Sequence, residues 1–105
     1  PEGDPRSPGV WVAPGAKVHA KATLTAPAYV GAGARVGQEV TVGPVVSIEG
    51  NCELMRGARV IAGAVFPHTR VGRATRWESA LLFPHGQIEL FSSSPRVVLV
   101  AGLPS

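Results

Sequence analysis

Ten positions spaced six residues apart carry Val12, Val18, Leu24, Val30, Val36, Val42, Ile48, Leu54, Val60 and Phe66. All are apolar, and most are β-branched. Two residues before each runs a second apolar series, smaller on average: Val10, Ala16, Ala22, Ala28, Ala34, Val40, Val46, Cys52, Ala58 and Ala64. A helix repeats its apolar stripe at three and four residues, and a plain strand alternates. A fixed period of six satisfies neither rule. It marks a solenoid, in which no single turn buries its own apolar face and stacked turns share one core.

From Val12 the hexads read VAPGAK, VHAKAT, LTAPAY, VGAGAR, VGQEVT, VGPVVS, IEGNCE, LMRGAR and VIAGAV. Each begins with a large aliphatic residue, and Gly or Pro often occupies the middle. A short strand that must turn a corner needs such residues, because Gly accepts dihedrals other residues avoid and Pro fixes φ. If three hexads make one coil, residues 18 apart stack. Val12, Val30 and Ile48 then form one inward column, Val18, Val36 and Leu54 a second, and Leu24, Val42 and Val60 a third. Among outward columns, Lys17, Arg35 and Glu53 share one, where an Arg35–Glu53 attraction is worth a few tenths of a kcal/mol, roughly, if exposed. Trp11 and Tyr29 share another and form an aromatic patch near the N-terminal edge.

Residues 1–9 hold three prolines and no apolar period, so they read as a flexible lead-in. One domain is expected over residues 10–100. The six-residue step breaks after Phe66, because the next aliphatic residue, Val71, comes one residue early, and His68 lies inside that break. Leu81-Leu82-Phe83 is a longer apolar strand that starts a C-terminal β cap at about residue 81. Gln87–Phe91 and Arg96–Val100 flank Ser92-Ser93-Ser94-Pro95 and read as two strands joined by a turn, covering the end of the solenoid. Residues 101–105 are expected to fray.

The net charge is +3, but Lys and Arg are scattered singly along the chain, which argues against nucleic acid or an anionic membrane as partner. One cysteine allows no internal disulfide, and Cys52 belongs to the inward series, where a thiol behaves as a small hydrophobe. No apolar run reaches the length of a membrane span, and the chain's start is unlike a signal peptide, so cytoplasm is the default location.

The hexads resemble the hexapeptide-repeat signature of left-handed parallel β-helices, with Val30-Gly31, Val36-Gly37 and Val42-Gly43 as the nearest copies. The resemblance implies an all-β fold of about five triangular, left-handed coils with the C-terminal cap. The second half, Ile48–Val60 followed by Val65–Gly72 and Ala80–Gly86, looks like the C-terminal β-helix domain of sugar-nucleotide pyrophosphorylases of the mannose-1-phosphate guanylyltransferase type. The separate nucleotide-binding domain of those enzymes has no counterpart here, and Asp4 is the sole aspartate. That likeness implies a non-catalytic module for self-association or for binding a partner such as a nucleotidyltransferase domain, without a cofactor.

Two enzyme readings compete. Acyltransferases of this resemblance use a histidine base where subunits meet. The candidates are His19, His68 and His85, with His68 preferred for its place in the register break. Carbonic-anhydrase-like proteins instead gather three histidines around zinc, and only His68 and His85 are spaced to stack, as weak metal candidates. For assembly, Met55, Ile61 and Val65 lie outside the inward series beside Phe66 and suggest a contact patch, with Trp11 and Tyr29 as a second. The resemblance favours a trimer over a dimer.

Overall fold

The computed structural model describes residues 8–89 and 96–99. Three parallel sheets form the sides of a triangular prism. Sheet A holds β1 (Val10–Val12), β4 (Ala28–Val30), β7 (Val46–Ile48), β10 (Gly63–Val65) and β13 (Ala80–Phe83). Sheet B holds β2 (Lys17–Val18), β5 (Arg35–Val36), β8 (Glu53–Leu54) and β11 (Arg70–Val71). Sheet C holds β3 (Thr23–Leu24), β6 (Thr41–Val42), β9 (Arg59–Ile61) and β12 (Arg76–Glu78). The chain visits A, B and C in turn, so each circuit is one coil. The architecture is all-β and matches a left-handed parallel β-helix. Four coils are complete, and β13 opens a fifth that is not continued, in line with the about five expected.

Register follows from the period. Val12 pairs with Val30 and Val30 with Ile48; Val18 with Val36 and Val36 with Leu54; Leu24 with Val42 and Val42 with Val60. Backbone ladders tie coil to coil: the Lys17 N–H donates to Ala34 O at 2.8 Å and the Arg35 N–H to Cys52 O at 2.8 Å. Both apolar series point inward as far as Val60. Val10, Val30, Ala34, Val40, Val42, Ile48, Ala58 and Val60 are sealed from solvent, and each large aliphatic buried this way contributes about 1.5–3 kcal/mol.

The register break lies one corner earlier than the sequence reading places it. Val46 pairs with Gly63 and Ile48 with Val65, so the step from Val60 to the next inward residue is five. Val65 is therefore in the core, fully buried, and is not an outward contact residue. Phe66 falls just outside, half-buried, where its ring stacks on Phe83 with centroids 4.7 Å apart. The same shortening recurs between β12 and β13, where Val65 pairs with Leu82. A single residue turns each shortened corner, Ala62 at φ 53 and Ser79 at φ 51. Coils thus run 18 residues at first and 17 afterwards, as in the pairs Arg35–Glu53 and Glu53–Arg70.

The two ends differ. Val12, Ala16, Val18, Ala22 and Leu24 of the first coil pack against the core but remain partly exposed. At the other end Trp77 occupies the inward column above Val60, and its Nε1–H donates to Thr75 Oγ1 at 3.1 Å. Beyond β13 the chain reverses: β14 (Gly86–Glu89) pairs antiparallel with β13, and β15 (Arg96–Leu99) with β14. These strands prolong sheet A at its edge. The turn expected at 92–95, residues 1–7 of the lead-in expected over 1–9, and the tail over 101–105 lie outside the described residues.

Candidate functional site

Folding sorts the side chains by face. The five parallel strands of sheet A contain no charged residue. Between residues 8 and 89 every lysine and arginine lies elsewhere. Lys17, Arg35 and Arg70 are on sheet B, Arg59 and Arg76 on sheet C, and Lys21, Arg56 and Arg73 at the corner joining B to C. Cations that look dispersed along the chain are gathered by the coil period onto two sides of the prism.

Sheet A presents an outward ladder of Trp11, Tyr29, Ser47, Ala64, Leu81 and Ile88, each in register with the next. Beside it a shallow groove of about 440 Å³ is bordered by Trp11, Pro27, Tyr29 and Val45. Trp11 is 41% exposed and Val45 60%. Val45 is also the one β-branched residue among the non-glycine residues described at positive φ, held at 64°. A left-handed backbone costs such a residue about 1–2 kcal/mol. The turn itself serves the fold, since the Val45 N–H donates to Pro27 O at 2.7 Å and its carbonyl accepts the Gly63 N–H at 2.9 Å; the valine side chain, mostly in solvent, adds little to its own core. The sequence reading missed Val45; its signal is an aliphatic residue directly before an inward one, Val46, next to Pro44.

The expected patch of Met55, Ile61, Val65 and Phe66 is not brought together. Val65 is buried, and Met55 sits at the B–C corner among cations. Ile61 ends β9 beside Arg59, Arg76 and Trp77, and Phe66 stands at the A–B corner. Trp11 and Tyr29 do meet, as register partners.

A second groove, about 540 Å³, runs over sheet B to the B–C corner, with Lys17, His19, Arg35, Gln38, Met55 and Arg73 among its lining. The ion pair expected between Arg35 and Glu53 is not the one made: Glu53 Oε1 accepts from Arg70 Nε at 3.2 Å, one coil further on. At the corner Glu39 takes Arg56 at 3.3 Å. Both pairs are exposed and worth under about 1 kcal/mol each.

The three histidines divide between two corners. His19 is at B–C, where its Nδ1 accepts the Lys21 backbone N–H at 2.9 Å. The proton of the neutral ring is then on Nε2, so the atom left for chemistry is a donor rather than a base. His68 is exposed at the A–B corner with φ 66. It occupies the slot that Gly15, Gly33 and Asn51 fill in earlier coils, all at positive φ. The register break that singled it out in the sequence is not there but at Ile61–Gly63. His85 lies in the turn between β13 and β14. Among the described residues no group of three or more His, Cys, Asp and Glu could hold a metal ion. Cys52 is buried, and its Sγ–H donates to Phe66 O at 2.9 Å. Burial pushes its thiol pKa up.

The coil pattern and sheet register define a hexapeptide-repeat-like left-handed β-helix. No protein-family model matches the chain. No curated protein matches it either. Among solved structures, it is similar to the H141N mutant of perosamine N-acetyltransferase from Caulobacter crescentus, in complex with CoA and GDP-perosamine, at 18% identity and TM-score 0.26. The alignment covers 86% of this chain and 53% of that one, so this chain spans about half the length of that structure. At that TM-score the likeness assigns nothing to individual residues.

Proposed function

We propose that this chain is a non-catalytic β-helix module whose sheet A face docks onto a second copy. The carrying observation is Val45, an exposed β-branched residue held at φ 64 beside Trp11 and Tyr29 on the one side of the prism whose parallel strands bear no charge. The turn is tied into its own fold, but a β-branched apolar side chain at that position gains nothing while it lies in solvent and gains when a partner buries it. Only one of the three sides is of this kind. A patch that contacts itself closes as a two-fold pair, whereas a trimer of prisms needs two different surfaces per copy. The face partition therefore favours a dimer over the trimer. The resemblance to the C-terminal domain of sugar nucleotidyltransferases is one of sequence pattern, over Ile48–Val60, Val65–Gly72 and Ala80–Gly86, and supplies no substrate.

Gel filtration with light scattering tests the reading. Tyr29→Glu places a carboxylate in the contact and is expected to yield monomer, while Ile61→Glu, at the end of β9 on sheet C, leaves the wild-type mass unchanged. The reverse pattern would reject sheet A as the contact.

A second reading, an acyltransferase-like enzyme, draws on the place of His68. It stands exposed at the A–B corner, so a copy seated on sheet A would lie next to it. There it could take a proton from an acceptor amine or hydroxyl as that atom attacks a thioester. Turnover of acetyl-CoA with polar acceptors, abolished by His68→Ala, would favour this reading over the non-catalytic one.

A further inference from the structure

The groove on sheet B holds cations in an arrangement that the chain's own carboxylates leave unbalanced. Lys17 and Arg35 are direct register partners, and like charges placed opposite each other in a ladder are destabilising. Arg35 has Glu53 as its other register partner, but that carboxylate is engaged by Arg70. Arg73, at the corner above, lies next to Arg56, whose charge is already met by Glu39. Among the described residues, Lys17, Arg35 and Arg73 have no carboxylate within ion-pair distance.

These cations are spread along the prism axis. Lys17 is in the first coil, Arg35 in the second and Arg73 in the fourth. At about 4.8 Å per strand spacing, Arg35 and Arg73 are about 10 Å apart along the axis. One phosphate is too small to meet both ends, whereas linked phosphates span the distance and present an oxygen to each cation. Gln38 and the ring of His19, whose free nitrogen is a donor, line the same groove. Both suit an anion rich in acceptors. Met55, half-buried in the lining, offers apolar contact to whatever carries the phosphates.

We propose that this groove is a binding site for an oligophosphate group of two or more linked phosphates, free or attached to a small organic moiety. It is separate from the sheet A face and stays open when that face is covered. Binding should weaken steeply with salt, because the interaction is between exposed charges.

Isothermal titration of the whole chain at low ionic strength tests the site with three probes: inorganic triphosphate, adenosine triphosphate and orthophosphate. Both triphosphates are expected to bind at least tenfold more tightly than orthophosphate. Equal affinity for the two assigns recognition to the phosphates alone; tighter binding of the nucleotide shows that the organic moiety is also held. Arg35→Gln and Arg73→Gln should each weaken triphosphate binding about tenfold, while Arg76→Gln, a cation on sheet C outside the groove, changes it less than twofold. Circular dichroism of these surface variants verifies folding. No triphosphate binding by the folded chain would overturn the proposal. So would equal losses in all three variants, or a single-stranded oligonucleotide that binds more tightly than triphosphate and depends equally on Arg76. Those last results would point to a diffuse cationic surface for an extended polyanion.

Discussion

Val45 and Cys52 show how one residue's surroundings decide its role. Replacing Val45 with Gly removes the left-handed strain and is expected to stabilise the monomer by about 1 kcal/mol, since Gly accepts that conformation freely. The same change removes an apolar side chain from sheet A and should weaken self-association. A chain that gains denaturation midpoint while losing dimer separates the two effects; a loss of both would show that Val45 supports its own fold. Cys52 is sealed at 1% exposure, and desolvation raises its pKa from the ordinary 9.0. A raised folded pKa means the unfolded chain gives up its proton first. Well below pH 9.0 the thiol is neutral in both states and contributes no slope. As pH rises above that value, the unfolded state holds fewer protons and stability falls. Denaturant titrations at pH 8 and pH 10 should show a smaller loss in Cys52→Ala than in the wild type, and equal losses would remove burial as the cause.

At the scale of strands and corners, stability resides in the inward ladders. Val36→Ala is expected to destabilise by roughly 2–3 kcal/mol through lost transfer energy and a residual cavity, and Lys21→Ala by less than about 0.5 kcal/mol. Equal urea midpoints for the two would contradict the register. Gly31 is a sharper case. A Cβ added there would come within 2.8 Å of the Glu49 and Gly50 backbone, so the next coil must shift to accept alanine. These columns were legible in the sequence because inward positions repeated in each coil are apolar, with Thr69 the buried exception, its hydroxyl donating to Leu82 O at 3.5 Å. The slip at Ile61–Gly63 was not legible. Val65 and Phe66 are both large and apolar, so either could serve as the next inward residue. Backbone pairing of Gly63 with Val46 decides for Val65, and no composition rule contains that pairing. The cost of misplacing it was a core residue read as surface and His68 read as special.

Across the whole molecule, the period acts twice: it builds the core and it sorts charge. Linear spacing made the cations look scattered, yet residues three hexads apart share a column, so Lys17 and Arg35 become neighbours and the five parallel strands of sheet A are left without a charged residue. The fold was therefore readable from the inward residues alone, whereas the surfaces required the register of outward ones. Self-association through sheet A is the central claim, and sedimentation equilibrium across a tenfold concentration range tests it most directly. A mass rising with concentration toward twice 10.8 kDa is the expected result. A plateau at three times that mass would replace the two-fold pair with a trimer, and 10.8 kDa at every concentration would contradict self-association outright.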